Sequence, residues 1–362
     1  MMSILDSIHS PQDLKGLSEA ELDRLAEEIR EFLVENVSKT GGHLGPNLGV
    51  VELTIALHRV FDSPSDPMIW DTGHQSYVHK ILTGRKDFSR LRQKGGLAGY
   101  PQRRESEHDI VESSHASSSL SWAEGISRAF QMTKQDDRYV IAVVGDGALT
   151  GGMTWEALNN ISHDNNRNLI LVVNDNGRSY APTIGGMARF LGNVRGKDSY
   201  RLIKRLAEGF FGLFGATGRA LFRGLRGGTR GFLSRFAGNE ALYSNLDIKY
   251  LGPVDGHNIG DVEHALRQAK QRRQPVIVHV ITDKGRGYAP ARNDEADQFH
   301  AVGQIDPATG KALQASDSPS WTSIFADEMV AIAGEEPTVV GITAAMLAPT
   351  GLHKMAAAYP GR

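Results

Sequence analysis

The chain has 362 residues, 40% of them hydrophobic and 23% charged, and its formal net charge is −2 at pH 7. This composition is typical of a folded globular protein, and the balanced charge disfavours a chain whose overall field attracts nucleic acid or an anionic membrane. The absence of cysteine excludes disulfides and a cysteine nucleophile and favours a cytoplasmic location, and no apolar stretch reaches the ~20 residues that span a bilayer.

Two helices are predicted near the start of the chain. Apolar residues recur at helical spacing between residues 18 and 37, and Ser18 with Glu21 forms the capping-box pattern that begins a helix. A glycine-rich stretch at 40–49 follows, where backbone without side chains allows a ligand to approach closely. The second helix is predicted at 50–61.

The rest of the main body is predicted to alternate strands with helices. In chain order, the elements are a strand at 68–70, a helix that begins within 113–119 and runs to about 130, a strand at 139–144, a helix at 152–161, a strand at 169–173, a helix at 259–271 and a strand at 275–282. Such alternation predicts an α/β fold, a doubly wound and mostly parallel sheet with helices on both faces.

Oxygen-bearing side chains follow two of the predicted strands. Gly145-Asp146-Gly147 ends the strand at 139–144, and Asn174-Asp175-Asn176 ends the strand at 169–173. Either triplet alone is typical of a turn that ends a strand. Together they place a carboxylate and a carboxamide at the carboxyl edge of a parallel sheet, where α/β proteins bind ligands. Hard oxygen donors suit Mg²⁺, so the pair predicts a Mg²⁺-bound diphosphate.

A stretch rich in Arg, Lys, Gly and Phe, residues 186–240, interrupts the alternation. An insertion of this length is typically functional or disordered, and we expect a flexible insertion. A mobile lid over the site and helical fragments packed on the body both stay open. A nucleic-acid-binding patch is disfavoured because no nucleic-acid-binding motif accompanies the basic residues.

Further segments occur in a fixed order along the chain. They are Gly42-His43-Leu44-Gly45, Trp70-Asp71-Thr72-Gly73-His74-Gln75, Lys80-Ile81-Leu82-Thr83-Gly84-Arg85, Gln93-Lys94-Gly95-Gly96-Leu97, Gly252-Pro253-Val254-Asp255-Gly256-His257 and Lys284-Gly285-Arg286-Gly287-Tyr288. With the two triplets, they resemble the thiamine diphosphate enzymes and, among these, the transketolase-like 1-deoxy-D-xylulose-5-phosphate synthase family. Residues 179–183 resemble its actinobacterial branch.

The resemblance implies a cofactor, thiamine diphosphate, held through Mg²⁺. It implies that the metal is bound by Asp146, Asn176 and the main-chain carbonyl of Arg178. The cofactor contacts that it implies are His74, Ser114, His115, Ala116, Asp146, Gly147, Ala148, Asn176, Lys284 and Tyr288. Gly147 and Ala148 would present N–H groups at a helix start, where the helix dipole favours anions.

The resemblance also implies an activity, the condensation of pyruvate with D-glyceraldehyde 3-phosphate with release of CO₂, the first step of a non-mevalonate isoprenoid pathway. His43 and His300 match active-site histidines that handle substrate and protons, a task suited to imidazole because it titrates near neutral pH. The remaining histidines of the chain are expected to be structural or exposed. A homodimer is the expected assembly, with no nucleic-acid or membrane partner.

Two domains are predicted. Residues 1–315 would form the diphosphate-binding domain, and residues 316–362 would hold a linker and the beginning of a pyrimidine-binding domain, with a helix at 321–333, a strand at 338–343 and a helix at 351–358. In the resembled family, a glutamate on a later strand protonates the aminopyrimidine ring. We therefore expect this chain to be a fragment or one half of a split enzyme that needs a complementary chain.

Two other functions stay open from the sequence. One is a different thiamine diphosphate-dependent carboligase or decarboxylase subunit that uses another acceptor. The other is a non-catalytic remnant, which the missing glutamate would explain.

Overall fold

The structure is a computed structural model of the chain that describes residues 3–177, 248–313, 318–344 and 346–362. The predicted flexible insertion at 186–240 and the predicted metal ligand Arg178 lie outside these residues, so both stay predictions. In the described part of the chain, no helix combines the length and the apolar character needed to cross a membrane.

The helices of the described residues are α1 (Ile4–Ser7), α2 (Glu19–Thr40), α3 (Gly45–Gly49), α4 (Val51–Val60), α5 (Tyr77–Leu82), α6 (Ser119–Met132), α7 (Gly152–Ser162), α8 (Ile259–Gln271), α9 (Ala289–Asn293), α10 (Trp321–Glu335) and α11 (Leu352–Ala358). The predicted start of α2 is confirmed. The Ser18 hydroxyl accepts the Glu21 N–H at 3.4 Å, and the Glu21 carboxylate accepts the Ser18 N–H at 2.8 Å. Both groups would otherwise lack partners at the helix end.

The described strands form one five-stranded sheet. They are β1 (Met68–Trp70), β2 (Val140–Gly145), β3 (Leu169–Asp175), β4 (Lys249–Asp255) and β5 (Val276–Ile281), in the spatial order β1-β2-β3-β5-β4. All neighbouring strands are parallel, which confirms the predicted sheet. Gly145 on β2 pairs with Asn174 on β3, so Asp146 and Asn176 leave the sheet at the same edge.

Helices cover both faces of the sheet because its strands are apolar on both. On β2, Ile141 and Val143 belong to one buried cluster, together with residues of α2, α4 and α8. Val140, Ala142 and Val144 belong to a second cluster, together with residues of α6 and α7. This division is the one expected of a parallel sheet between two helical layers.

Two elements of the sheet region differ from the sequence prediction. β4 was not predicted as a strand, because Gly252-Pro253 interrupts its apolar pattern. The structure shows it as an edge strand, where proline is tolerated, with a register shift between Leu251 and Val254. No helix was predicted in the glycine-rich stretch at 40–49, but its second half forms α3.

The predicted strand at 338–343 is wrong. Residues 339–343 have no regular structure, and Val340 and Ile342 are 59% and 90% exposed. A strand needs a neighbour to pair its backbone, and no described strand lies beside this segment. The flanking helices α10 and α11 are confirmed and pack through Ala333, Leu352 and Met355. The division into two domains stays a prediction.

Candidate active site

Three histidines from distant parts of the chain meet beyond the carboxyl edge of the sheet. His43 immediately precedes the segment Leu44–Gly49, and His74 follows β1. The ring centroids of His43 and His74 lie 5.4 Å apart, those of His43 and His300 lie 5.8 Å apart, and those of His74 and His300 lie 5.0 Å apart. The structure therefore brings together the two predicted catalytic histidines and one predicted cofactor contact.

Close backbone packing between two segments brings His300 to His43. The backbones of Gly42 and Val302 exchange two hydrogen bonds, of 2.9 and 2.8 Å. A Cβ atom on Gly45 would lie 2.0 Å from the carbonyl oxygen of Gln298, so only glycine fits there. The glycine pattern that predicted close approach of a ligand thus serves, at this position, the approach of another backbone segment.

Burial biases two histidines of the cluster, His43 and His74, toward the neutral imidazole. Burial, with Arg92 and Lys284 nearby, lowers the pKa of His43 to about 4. Burial, with His43 and Lys284 nearby, lowers the pKa of His74 to about 3. The Nδ1 atoms of His43 and His74 are buried and have no hydrogen-bond partner among the described residues. Two neutral imidazoles with buried, unpaired nitrogens are suited to contact a bound ligand.

The depressed histidine pKa values predict a loss of stability in mild acid. Unfolded histidine takes up a proton near pH 6.5 but folded His43 only near pH 4, so the unfolded state binds more protons between these values and gains stability. At pH 5 we expect His43 to contribute a loss on the order of 1–2 kcal/mol in the free energy of unfolding relative to pH 7.5. Urea unfolding at both pH values would measure it. His43→Asn should show a smaller pH effect, and an equal effect would contradict this account.

Lys284 and His300 form a direct contact in the same cluster. The Lys284 Nζ donates to His300 Nδ1 at 3.0 Å, and both side chains are buried. An ammonium group can only donate, so Nδ1 of His300 is unprotonated and a neutral His300 carries its proton on Nε2. The cluster thus offers proton acceptors at His43 and His74 and a donor at His300.

The predicted metal ligands lie at the ends of adjacent strands. Asp146 is buried and directly follows β2, and Asn176 directly follows β3. The described residues contain no group of three or more His, Asp and Glu side chains able to hold a metal by themselves. A metal at Asp146 and Asn176 would need oxygens from the main chain, water or phosphate, which is how Mg²⁺ is usually held. The residues therefore fit Mg²⁺, and their role stays a prediction.

Gly147 and Ala148 lie, as predicted, at a helix start, but the helix is short. Residues Ala148–Thr150 form a single 3₁₀ turn, and α7 begins only at Gly152. A turn this short has little dipole, so any diphosphate contact there would rely on individual N–H groups. The contact itself stays a prediction.

The loop Ser114–Ala116 is exposed, and Asp71 fixes the residues that follow it. The Asp71 carboxylate accepts the Ser117 N–H at 2.8 Å and the Ser119 N–H at 3.1 Å, so it caps α6 from the end of β1. The Ser117 hydroxyl donates to the Ala148 carbonyl at 2.8 Å. The loop of predicted cofactor contacts is therefore tied to the ends of both β1 and β2.

Sequence reasoning missed the framework role of Asp71 and of Asn174. Asn174 is fully buried, donates to Gln75 Oε1 at 2.8 Å and accepts from the Thr282 hydroxyl at 2.6 Å. It links the segments after β1 and β5 to the end of β3. A polar side chain at a buried strand end was visible in the sequence, but its partners were not.

The Tyr288 side chain is held by contacts outside the histidine cluster. Its hydroxyl donates to the Pro307 carbonyl at 2.9 Å, and its ring packs edge-on against Phe299 at 6.1 Å. These contacts do not bring it to the histidine cluster. Its predicted cofactor contact, like that of Lys284, stays a prediction.

Comparison with known proteins identifies the family. The family model described as 1-deoxy-D-xylulose-5-phosphate synthase matches residues 5–282. The chain belongs to the 1-deoxy-D-xylulose-5-phosphate synthase family. Curated synthases from Leifsonia xyli subsp. xyli (strain CTCB07) and Clavibacter sepedonicus are 72% and 69% identical over 361 residues. The match covers 100% of this chain and 56% of each relative, so the chain spans little more than half of a synthase of that family.

Solved structures support the same fold for this synthase-family chain. The transketolase of Campylobacter jejuni subsp. jejuni NCTC 11168 aligns with a TM-score of 0.57 over 95% of this chain and 47% of its own length, at 15% identity. The transketolase of Leishmania mexicana aligns with a TM-score of 0.53 over 95% of this chain and 48% of its own, at 18% identity. At such identities the likeness shows the fold alone.

Proposed function

We propose that this chain supplies the Mg²⁺- and diphosphate-binding half of a thiamine diphosphate-dependent 1-deoxy-D-xylulose-5-phosphate synthase. The complete enzyme would be a transferase that condenses pyruvate with D-glyceraldehyde 3-phosphate and releases CO₂. The observation that carries the proposal is the cluster of His43, His74 and His300, which lies beyond the sheet edge where Asp146 and Asn176 follow two adjacent strands. The high identity to curated synthases supports the choice of substrates.

The chain's own residues suit the binding and proton transfers that such a reaction needs. When bound, thiamine diphosphate supplies the nucleophilic carbon and the electron sink for decarboxylation. Asp146, Asn176 and the main-chain carbonyl of Arg178 would hold Mg²⁺ on the diphosphate. His43, neutral at pH 7, can accept a proton from a substrate hydroxyl or share a hydrogen bond with it. Neutral His300 can donate from Nε2, because Lys284 occupies its Nδ1.

The predicted partner is a complementary polypeptide that carries the pyrimidine-binding region, within a homodimer or a split enzyme in the cytoplasm. Two observations support it. The curated relatives are nearly twice as long as the matched region, and the chain exposes apolar side chains at 321–342, including Trp321 at 87% and Ile342 at 90%. Apolar surface of this kind is typical of an interaction site.

Reconstitution tests the proposal. The purified chain would be mixed with the remaining, non-matching part of the Leifsonia xyli relative, and CO₂ release from pyruvate would be measured with Mg²⁺, thiamine diphosphate and a series of aldehydes. We expect turnover only in the mixture, with glyceraldehyde 3-phosphate as the best acceptor. Preference for another aldehyde would indicate a different carboligase. Cofactor binding without turnover would indicate a non-catalytic remnant, and no cofactor binding in the mixture would overturn the proposal.

A further inference from the structure

His257 ends the Gly252–His257 motif, which the proposed function leaves without a role, and it is held in one tautomer. Its Nε2 accepts the backbone N–H of Asp283 at 2.8 Å. A backbone N–H can only donate, so Nε2 is unprotonated and Nδ1 carries the ring proton. Nδ1 donates to the Glu52 carboxylate at 3.1 Å. This histidine was expected to be structural or exposed, and in the structure both of its ring nitrogens make hydrogen bonds of defined direction.

Glu52 is itself firmly placed. It lies on α4 and is buried, and Nη2 of Arg30, on α2, donates to its two oxygens at 2.6 and 2.5 Å. Burial by itself raises the pKa of Glu52, but hydrogen bonds from His257 and Arg30 outweigh it and leave the pKa below its usual value. Glu52 is therefore a charged acceptor on a rigid helix. It orients His257 as a carboxylate orients the histidine in many catalytic and metal sites.

The Asp283 N–H that His257 holds lies next to Lys284. Backbone bonds fix the turn on either side, from the Thr282 N–H to the Asp175 carbonyl at 3.0 Å and from the Gly285 N–H to the Gly45 carbonyl at 2.9 Å. The His257 ring holds the residue between them. Lys284 then reaches His300 with its Nζ.

We propose that His257, oriented by Glu52, is a positioning residue that fixes the turn 282–285 and so holds Lys284 against Nδ1 of His300. The chain of contacts runs from Glu52 through His257 and the Asp283 backbone to the Lys284–His300 pair. Its consequence is a His300 that keeps its proton on Nε2. A catalytic role for this positioning rests on the proposed function, whereas the chain of contacts itself is independent of it.

NMR on the free 362-residue chain tests the geometry without any cofactor. The chain would carry ¹⁵N-labelled histidine, with the His300 signals assigned through His300→Gln. In His257→Leu we expect the His300 ring to lose its single Nε2–H tautomer and the amides of 283–285 to exchange at least about 10-fold faster. His257→Gln keeps an acceptor for the Asp283 N–H, so it should retain both properties within about 3-fold.

Three further variants distinguish a positioning role of His257 from a role in the stability of the fold alone. His264→Leu, at an exposed histidine on α8, is the matched control and should change neither readout. If His257→Leu does not fold, Glu52→Gln removes the orienting charge and should shift His300 in the same direction. Arg30→Met removes the partner of Glu52 while leaving His257 in place, and it should give a smaller shift. A lower melting temperature with unchanged His300 signals would overturn the proposal, because it would show a purely structural histidine.

Cofactor titration separates this proposal from the proposed function. In the reconstituted mixture, we expect His257→Leu to bind Mg²⁺-thiamine diphosphate about 10-fold more weakly than the unaltered chain. If the unaltered mixture binds no thiamine diphosphate, the proposed function fails, and the His300 signals still decide the positioning role. If the His300 ring signals change in His257→Leu but cofactor affinity and turnover do not, His257 positions Lys284 and His300, and its role in catalysis is refuted.

Discussion

Replacing Asp146 with asparagine is expected to weaken Mg²⁺-dependent binding of thiamine diphosphate by at least about 100-fold, because a charged oxygen ligand becomes a neutral one. Asp146 is 2% exposed, and its backbone N–H is bonded to the Asn174 carbonyl at 3.1 Å, so its side chain is held at the sheet edge. Asparagine has the same shape, so the sheet should stay intact. Calorimetric titration of the reconstituted mixture with cofactor, at fixed Mg²⁺, would measure the change.

A matched control isolates the role of the carboxylate. Asp137→Asn makes the same chemical change at an exposed loop position and should leave binding unchanged. The melting temperature of Asp146→Asn without metal should stay near that of the unaltered chain. Equal cofactor affinity in Asp146→Asn and Asp137→Asn would remove Asp146 from the metal site and would weaken the proposed function with it.

The parts of the fold that could be predicted are those with local signals. The strands β2, β3 and β5 consist largely of apolar residues, and α2 carries both helical periodicity and a capping box, so each was predicted within a few residues. β4 was missed because Gly252-Pro253 breaks the apolar pattern, and an edge position tolerates that break. The strand at 338–343 was predicted from apolar residues alone, yet a strand also requires a partner that local sequence does not specify.

The site residues that could be predicted are likewise those with a local pattern or a family motif. Asp146 and Asn176 were predicted from strand ends, and the resemblance brought in His43, His74 and His300, which the structure gathers. Contacts between distant positions could not be predicted. Glu52 and His257 are 205 positions apart, and Gln75 and Asn174 are 99 apart. Sequence patterns indicate that such side chains are buried or polar, but only the folded topology decides which of them meet.

Removing the Asp109 carboxylate is expected to lower the free energy of unfolding by about 3 kcal/mol, because it leaves buried donors unpaired. Asp109 is 3% exposed and accepts from Arg85 at 2.7 and 2.9 Å, from the Gln102 N–H at 2.6 Å and from His79 Nε2 at 3.1 Å. His79 in turn shares a 2.9 Å hydrogen bond with the fully buried His58. Urea unfolding of Asp109→Ala at pH 7.5 would measure the loss.

The comparison that decides this prediction is with an exposed ion pair. Glu35 pairs with Lys39 at 2.9 Å on the surface of α2, and Glu35→Ala should cost less than about 0.5 kcal/mol. In the Asp109 network, the double variant Arg85→Met with Asp109→Leu should recover part of the lost free energy of unfolding. Both charges of the buried pair are then removed together, so neither is left buried without the other. Equal losses for Glu35→Ala and Asp109→Ala would show that solvent reaches the network. If the Asp109 loss is the larger one, as we expect, the ion pair of Arg85 with Asp109 stabilises the segment that contains Tyr100. The Tyr100 ring lies 5.7 Å from the His43 ring between centroids, so this network also stabilises the position of His43.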